Sequence, residues 1–291
     1  MRRIFRDTIL KKGTLGASAV DPGLGASTNR PWLFDQLRAR YEHPMEVEAY
    51  VRQVALGLLH EERAILERAF PNPARLLDLG CGAGREAFAL EAMGHEVVAA
   101  DISREMITAA KRIAARRGSS VTWVCMPSPV ELPFPTASFD GVVALAQLLS
   151  HIPDSSARVA FLSEVRRVLK PGGLLVATFT TRKAERELTG EPEDAAHPRR
   201  NDAGETAFDP EPLAVEAGWE EGDIFVWDPS EAELDEPLFF HLHTEEEIRA
   251  ELTAAGLELI EIIDPRSLTD RAAWDAHRYP FVMAAAGSVT S

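Results

Sequence analysis

The 291-residue chain has only two cysteines, Cys81 and Cys125. That is too few for a disulfide framework and points to a reducing, cytoplasmic setting. There is no run of about eighteen apolar residues, which speaks against a membrane span. The basic start MRRIFRDTILKKG is followed by no continuous apolar stretch and makes a poor signal peptide. Positive charge is scarce as well: 31 Lys and Arg stand against 46 Asp and Glu, a formal net charge of −15. Nucleic-acid binders usually carry a basic face, so no nucleic-acid partner is expected. The one small basic group, Arg112, Arg116 and Arg117, reads as a solvated helix end. No internal repeat is visible.

What remains is an ordinary soluble composition, 45% hydrophobic and 26% charged, long enough for one large α/β domain or a domain with an insertion. Residues 1–44 read as an N-terminal arm, aperiodic in Gly, Ser, Ala and Pro up to about residue 30. From Pro44 to Phe70 apolar residues recur at helical spacing until FPNPA stops them. Strands are then expected at Leu76–Leu79, Glu96–Asp101, Val121–Cys125, Phe139–Leu145 and Leu174–Thr178. Helical patterns lie between them: Arg85–Met93, a helix capped by Ser103 and stopped by Gly118, and Ser155–Leu169 followed by the turn KPGG. Alternation of this kind implies a parallel sheet covered by helices on both faces.

After Thr181 the character changes. Residues 184–243 form an insertion rich in acids, Pro and Gly, yet holding Phe208, Trp219, Phe225 and Trp227. Residues 45–183 before it and 244–291 after it belong to one core. The second part opens with the capping box Thr244/Glu247 and ends with the strands GLELIEII and YPFVMAAAG.

The stretch LLDLGCGAGREAFAL carries the chemistry. In an open parallel sheet the loop after the first strand lies where ligands bind. A phosphate loop would need Gly-Lys-Ser or Gly-Lys-Thr, which does not follow these glycines. The dinucleotide fingerprint G-x-G-x-x-G fits poorly, because the spacing here is G-x-G-x-G and Arg85 stands at the third glycine's place. Asp78, ahead of the loop, would repel a pyrophosphate but suits an ammonium group. Asp101, at the end of the next strand, can accept from both hydroxyls of a ribose. A ribose, an ammonium and no phosphate describe S-adenosylmethionine.

With GHEVVAADIS, ELPFPTASFDGVVALAQLLSHIPD and EVRRVLKPGGLLVATF, the chain resembles the class I S-adenosylmethionine-dependent methyltransferases over about residues 45–181 and again over 244–287. The resemblance implies a Rossmann-like, seven-stranded, mostly parallel sheet whose last strand is reversed. It implies that Gly80, Cys81 and Gly82 line the methionine part of the cofactor, that Asp78 holds its ammonium and Asp101 its ribose, and that Ile102 packs on the adenine. Leu145, followed by Ala146, offers its carbonyl near the ammonium. Where family members often carry an Asp that meets the adenine amino group, this chain has Ser128, and Pro129 after it has no N–H to offer. Serine can still accept a hydrogen bond, so adenine recognition is either weaker or shifted to Val130.

Methyl transfer from a sulfonium needs alignment above all, and a base only if the acceptor must lose a proton. His151 follows the fourth strand and is either a loop-tying residue or a general base. Gln147 is placed to orient a substrate. His241 and His243 alternate and share a face; an exposed strand face, a polar pocket wall and a metal site lacking an identified third ligand all remain open. The insertion is expected to cap the acceptor pocket. The function so implied is methyl transfer to a small-molecule acceptor. RNA or protein methylation, and a non-catalytic cofactor binder, stand as alternatives.

Overall fold

A computed structural model describes residues 30–184, 211–212, 219–226, 238–268 and 279–287. Inside the segment read as an arm, Pro31–Glu42 form helix α1, with proline in the first turn and Leu33 and Leu37 buried. The helical stretch after it folds as two helices rather than one, α2 (Pro44–Gln53) and α3 (His60–Ala69). Gly57, between them, takes φ 69°, which an α-helix does not accommodate.

The remaining core elements are β1 (Arg75–Leu79), α4 (Arg85–Ala92), β2 (Glu96–Asp101), α5 (Arg104–Arg117), β3 (Thr122–Cys125), β4 (Phe139–Ala144), α6 (Ser155–Val168) and β5 (Leu169–Thr178). The Ser103 hydroxyl accepts from the Met106 N–H at 3.1 Å, and Gly118 closes α5 in the left-handed conformation. KPGG lies inside β5 instead of turning into it. Phe139 pairs with Leu169 and Gly141 with Leu174, so the residues between bulge out of register.

After the insertion come α7 (Glu245–Ala254), β9 (Leu257–Ile263) and β10 (Phe281–Ala286). Thr244 and Glu247 cap α7 reciprocally, at 2.6 and 3.1 Å. The seven strands run in the order β3-β2-β1-β4-β5-β10-β9, and only β10 is antiparallel to its neighbours. The central strands are buried on both faces. Leu77, Leu79 and Val142 pack with Phe161 and Val165 of α6, while Leu76 and Val143 pack with Ile65, Leu66 and Leu90 of α3 and α4. β1 pairs with β2 on one side and β4 on the other, so the order reverses there and the loop after β1 opens at the switch point.

Within the insertion, β6 (Glu211–Pro212), β7 (Asp223–Val226) and β8 (Leu238–His241) form a small antiparallel sheet. Phe208 and Trp227 lie outside the described residues. Trp219 and Phe225 bury with Phe239 and with Leu33 of α1. Trp32 of α1 stacks on Phe225 at a centroid distance of 6.5 Å. Trp219, Phe225 and Phe239 therefore find their apolar partner in the first helix.

Candidate functional site

The glycine loop runs from the end of β1 to the start of α4. Gly80 and Cys81 N–H groups donate to the Ala100 carbonyl at 2.9 and 3.2 Å, anchoring the loop to β2. Gly82 N–H donates to Asp101 Oδ2 at 2.9 Å, and Ser103 N–H to Oδ1 at 2.7 Å. Asp101 thus fixes the shape of the loop as well as facing the cavity. Gly82 has φ 50°, and a Cβ there would meet the Tyr50 ring at 2.8 Å, so neither the backbone nor the space admits a larger residue.

Acids gather around this loop. Asp78 is buried, and its Oδ2 has no hydrogen-bond partner. Burial, and then the charge of Glu86, push the Asp78 carboxyl well above the usual range. Glu86 and Asp101 are also raised by burial. A cation placed among them would offset that desolvation, which is what an orphaned carboxylate oxygen beside a backbone cradle calls for. Arg85 fills this need only at Glu86, to which its guanidinium donates, and leaves the Asp78 oxygen without a partner. The same guanidinium makes a bidentate pair with Glu62 at 2.6 and 2.8 Å and donates to the Gly57 carbonyl at 3.1 Å, tying α4 back to α3. The residue that departs from the dinucleotide pattern is a structural tie.

A cavity opens from the loop. Gly80, Gly82, Asp101, Ile102, Pro129, Leu145, Ala146 and His151 line it. Asp78, Cys81, Ser128, Val130, Gln147, His241 and His243 are not among its lining residues. Cys81 is buried behind the loop. The Ser128 hydroxyl accepts from the Val130 and Glu131 N–H groups, both at 3.3 Å, so it closes a turn, and Val130 packs on the core. Gln147 sits at φ 56° at the head of a short 3-10 turn, Leu148–His151, and its N–H donates to the Thr178 hydroxyl at 3.0 Å.

The far wall of the cavity was not foreseen from the sequence. It includes Phe34, Leu37 and Tyr41 of α1 and Tyr50 of α2, together with Met126, Leu148 and Phe161. The spacing of Phe34, Leu37 and Tyr41 is one helical face, and that was the available signal. His151 Nδ1 donates to the Phe239 carbonyl of β8 at 3.1 Å, and Nε2 faces the Tyr41 hydroxyl at 3.4 Å. Burial pushes the His151 imidazole down to about 4.

His241 and His243 are fully buried, not on an exposed face. The third ligand-type partners that the sequence did not supply are Glu220 and Asp223, whose donor atoms and that of His241 lie within 4.8 Å of one another. Their oxygens, however, are already engaged. Glu220 accepts from Ser155 N–H at 2.7 Å and from Arg158 at 2.6 Å, and Asp223 from Glu220 N–H and His241 Nδ1, each at 2.7 Å. Arg158 also donates to Glu251 of α7 at 2.8 Å. The group is an ionic staple between the insertion, α6 and α7. Asp223 and Glu247 hold His241 above its ordinary value against the downward pull of burial. Burial and the neighbouring His241 and Arg158 push His243 well below.

A family model described as a methyltransferase domain matches residues 76–173, the span from the glycine loop's strand to the bulge of β5. A ubiquinone biosynthesis O-methyltransferase of Methylocella silvestris is 32% identical over 176 residues, 57% of this chain and 66% of that protein. Residues 76–173 thus carry a methyltransferase domain, and the fold around it is that of the class I S-adenosylmethionine-dependent methyltransferases. The chain spans only 40% to 66% of the length of the first curated relatives it matches. Among solved structures, a methyltransferase from Methanosarcina mazei superposes with a TM-score of 0.56 at 24% identity, over 77% of this chain and 97% of that one. The 1,6-didemethyltoxoflavin N1-methyltransferase of Burkholderia thailandensis, bound to its acceptor and S-adenosylhomocysteine, gives 0.55 at 20% identity, over 92% and 93%. These likenesses show the fold. Among the described residues, no helix is long and apolar enough to cross a membrane.

Proposed function

We propose that this methyltransferase uses S-adenosylmethionine to methylate a small-molecule acceptor held between the glycine loop and helix α1. The observation that carries the reading is one cavity with two unlike ends: its glycine-lined end, beside Asp101, fits a cationic nucleoside, and its other end is mostly apolar with the His151 imidazole and the Tyr41 and Tyr50 hydroxyls as its polar groups. The names of the relatives, which include quinone-pathway O-methyltransferases and a heterocycle N-methyltransferase, support a small-molecule acceptor. The two cysteines, both free, suit work in the cytoplasm.

The cofactor supplies a methyl group on a sulfonium, already a good leaving group. The residues supply position. The backbone at Gly80 and Gly82 lets the ligand approach closely. Asp101, braced by two N–H groups, would turn its remaining lone pairs to the ribose hydroxyls, Ile102 would pack on the adenine, and Asp78, buried behind the cavity wall with an unpartnered oxygen, would answer the charge of the ammonium. Pro129 borders the adenine side, while Ser128 serves the turn behind it. Leu145, just after β4 and followed by Ala146, would offer its carbonyl near the ammonium. His151 Nε2 accepts a hydrogen bond from the acceptor and takes its proton as the new bond forms. A base this weak suffices at that moment, because the acceptor atom becomes strongly acidic once it carries a methyl.

Calorimetry with S-adenosylmethionine, S-adenosylhomocysteine and NADH tests the cofactor assignment directly. The first two are expected to bind, and NADH is not. Binding of NADH alone would overturn the reading.

A further inference from the structure

Resting on the methyl-transfer reading, we propose that the acceptor is an uncharged ring bearing a free hydroxyl, and that Tyr41 is a specificity-determining residue that pairs with His151 to recognise that hydroxyl. The first part of the argument is orientation. A carbonyl oxygen only accepts, so the Phe239 carbonyl at 3.1 Å takes the Nδ1 proton of His151 and leaves Nε2 with a bare lone pair. Burial keeps that imidazole neutral at physiological pH. Burial likewise raises the Tyr41 phenol, which keeps its proton. Facing each other at 3.4 Å are one O–H donor and one nitrogen acceptor. That contact is long for an O–H···N hydrogen bond and is readily exchanged for a ligand.

A hydroxyl is the small group that satisfies both at once, donating to Nε2 and accepting from the phenol. An ammonium has no lone pair for Tyr41, and a methoxy group has no proton for His151. Tyr41 is held in place independently of any ligand. Its carbonyl accepts from the Ser103 hydroxyl at 2.9 Å, at the cap of α5, and its ring sits edge-on to Tyr50 at 5.7 Å.

The second part is charge. Beside this pair the Tyr50 hydroxyl is hydrogen-bonded to that of Tyr41, and the rest of the wall is apolar: Phe34, Leu37, Met126, Leu148, Ile152 and Phe161. The cavity lining includes no lysine or arginine, and its one carboxylate, Asp101, has the same sign of charge as an anionic acceptor. A carboxylate or phosphate on the acceptor would lose its water and find no counter-charge. The insertion meets His151 twice: the Phe239 carbonyl sets the tautomer that makes the pair complementary, and the Phe240 ring lies 4.3 Å from the imidazole, centroid to centroid.

The test uses protein loaded with S-adenosylhomocysteine, whose binding is measured first. 4-Methylcatechol, 3,4-dihydroxybenzoate and 3,4-dimethoxytoluene are then titrated as probes. 4-Methylcatechol is expected to bind about tenfold or more tightly than either of the others, the scale of one unmatched hydrogen bond or one buried charge. Tyr41→Phe should leave S-adenosylhomocysteine affinity unchanged within about threefold but shrink the hydroxyl-over-methoxy preference by about tenfold. A purely structural role for Tyr41 would move all probes together. Equal or tighter binding of the carboxylate, equal binding of the dimethoxy compound, an undiminished preference in the variant, or failure of 4-methylcatechol to bind would each overturn the proposal. Failure of S-adenosylhomocysteine to bind sinks the methyl-transfer reading instead. The same titrations on unloaded protein still decide the acceptor class.

Discussion

The two ends of the cavity are built in opposite ways. The cofactor end comes mostly from one stretch of chain, Asp78 to Ile102, in which a loop, two strand ends and a helix start are neighbours in sequence, with Pro129, Leu145 and Ala146 added from later loops. The acceptor end is assembled from α1, α2, a 3-10 turn and a carbonyl of the inserted sheet, and His151 meets Phe239 across 88 residues. Conformation dictates the first end: positive φ at Gly82 and a carboxylate that binds two amides. The second exists only once distant elements pack. Damage should therefore separate: changes behind α1 should spoil acceptor handling and stability, and changes in the loop should spoil cofactor binding alone.

The largest effect expected is that of Trp219→Ala. Trp219 is 2% exposed, lies against Phe225 and Phe239, and carries the Arg30 guanidinium 3.8 Å above its ring. Truncation should cost about 3–5 kcal/mol of stability. It should also loosen α1, raising the acceptor KM while S-adenosylhomocysteine affinity stays within about threefold. Denaturant unfolding and calorimetry check both halves. A drop in cofactor affinity as large as the drop in stability would erase the distinction between the two ends.

Gly82→Val is the converse. The β-branched side chain is strained at φ 50° and would strike the Tyr50 ring. Cofactor affinity should fall by about a hundredfold or more, roughly 3 kcal/mol, while far-UV circular dichroism remains native. A variant that binds normally would reduce the loop to a simple turn.

The contrast also explains what the sequence disclosed. The seven-stranded sheet, the helix caps at Ser103 and Thr244 and the glycine loop follow from short-range rules, and they were legible. The break at Gly57 was missed because apolar spacing continued on both sides of it. The strand at Leu169 was missed because KPGG has the composition of a turn, though here it is a bulge held by β4. Helix α1 gave a faint signal, since its stability comes from Leu33 and Leu37 meeting partners far along the chain. Arg85 looked like a lost glycine, and only the position of Glu62 gives it a purpose. His241 and His243 alternate as an exposed strand face would. That Arg158, Glu220 and Glu251 enclose them is a tertiary fact.

The acceptor end should also show its own pH signature. His151 titrates near 6.5 when unfolded and at about 4 when folded. A histidine with a lowered folded value gives stability that is complete above its unfolded pKa and is lost as the pH falls from about 6.5 towards 4. The contribution is at most on the order of 3 kcal/mol. His243 is lowered as well and acts in the same direction. The informative quantity is therefore the difference between wild type and His151→Gln, measured as Tm against pH. The variant's curve should be shallower across that window. Parallel curves would mean that the imidazole is not held neutral by burial.

The smallest effect tests the boundary of the cofactor end. Ser128 stands where the family often places an adenine-binding acid, so a reader of the sequence would assign it to the ligand. The structure turns its hydroxyl back on the chain, to the Val130 and Glu131 N–H groups at 3.3 Å each, and the cavity is lined by Pro129 instead. Ser128→Ala removes two long hydrogen bonds near the surface, and their donors regain water, so stability should change by about 0.5 kcal/mol or less. If the serine serves the turn, S-adenosylmethionine affinity should move by less than about twofold. If it serves the adenine, the loss should approach tenfold, the usual worth of one ligand hydrogen bond. Calorimetry separates a twofold from a tenfold change. The larger value would extend the cofactor end past Cys125 into the loop before β4. The smaller one leaves adenine recognition to packing by Ile102 and Pro129 and makes the departure from the family's acid a real loss of polar contact.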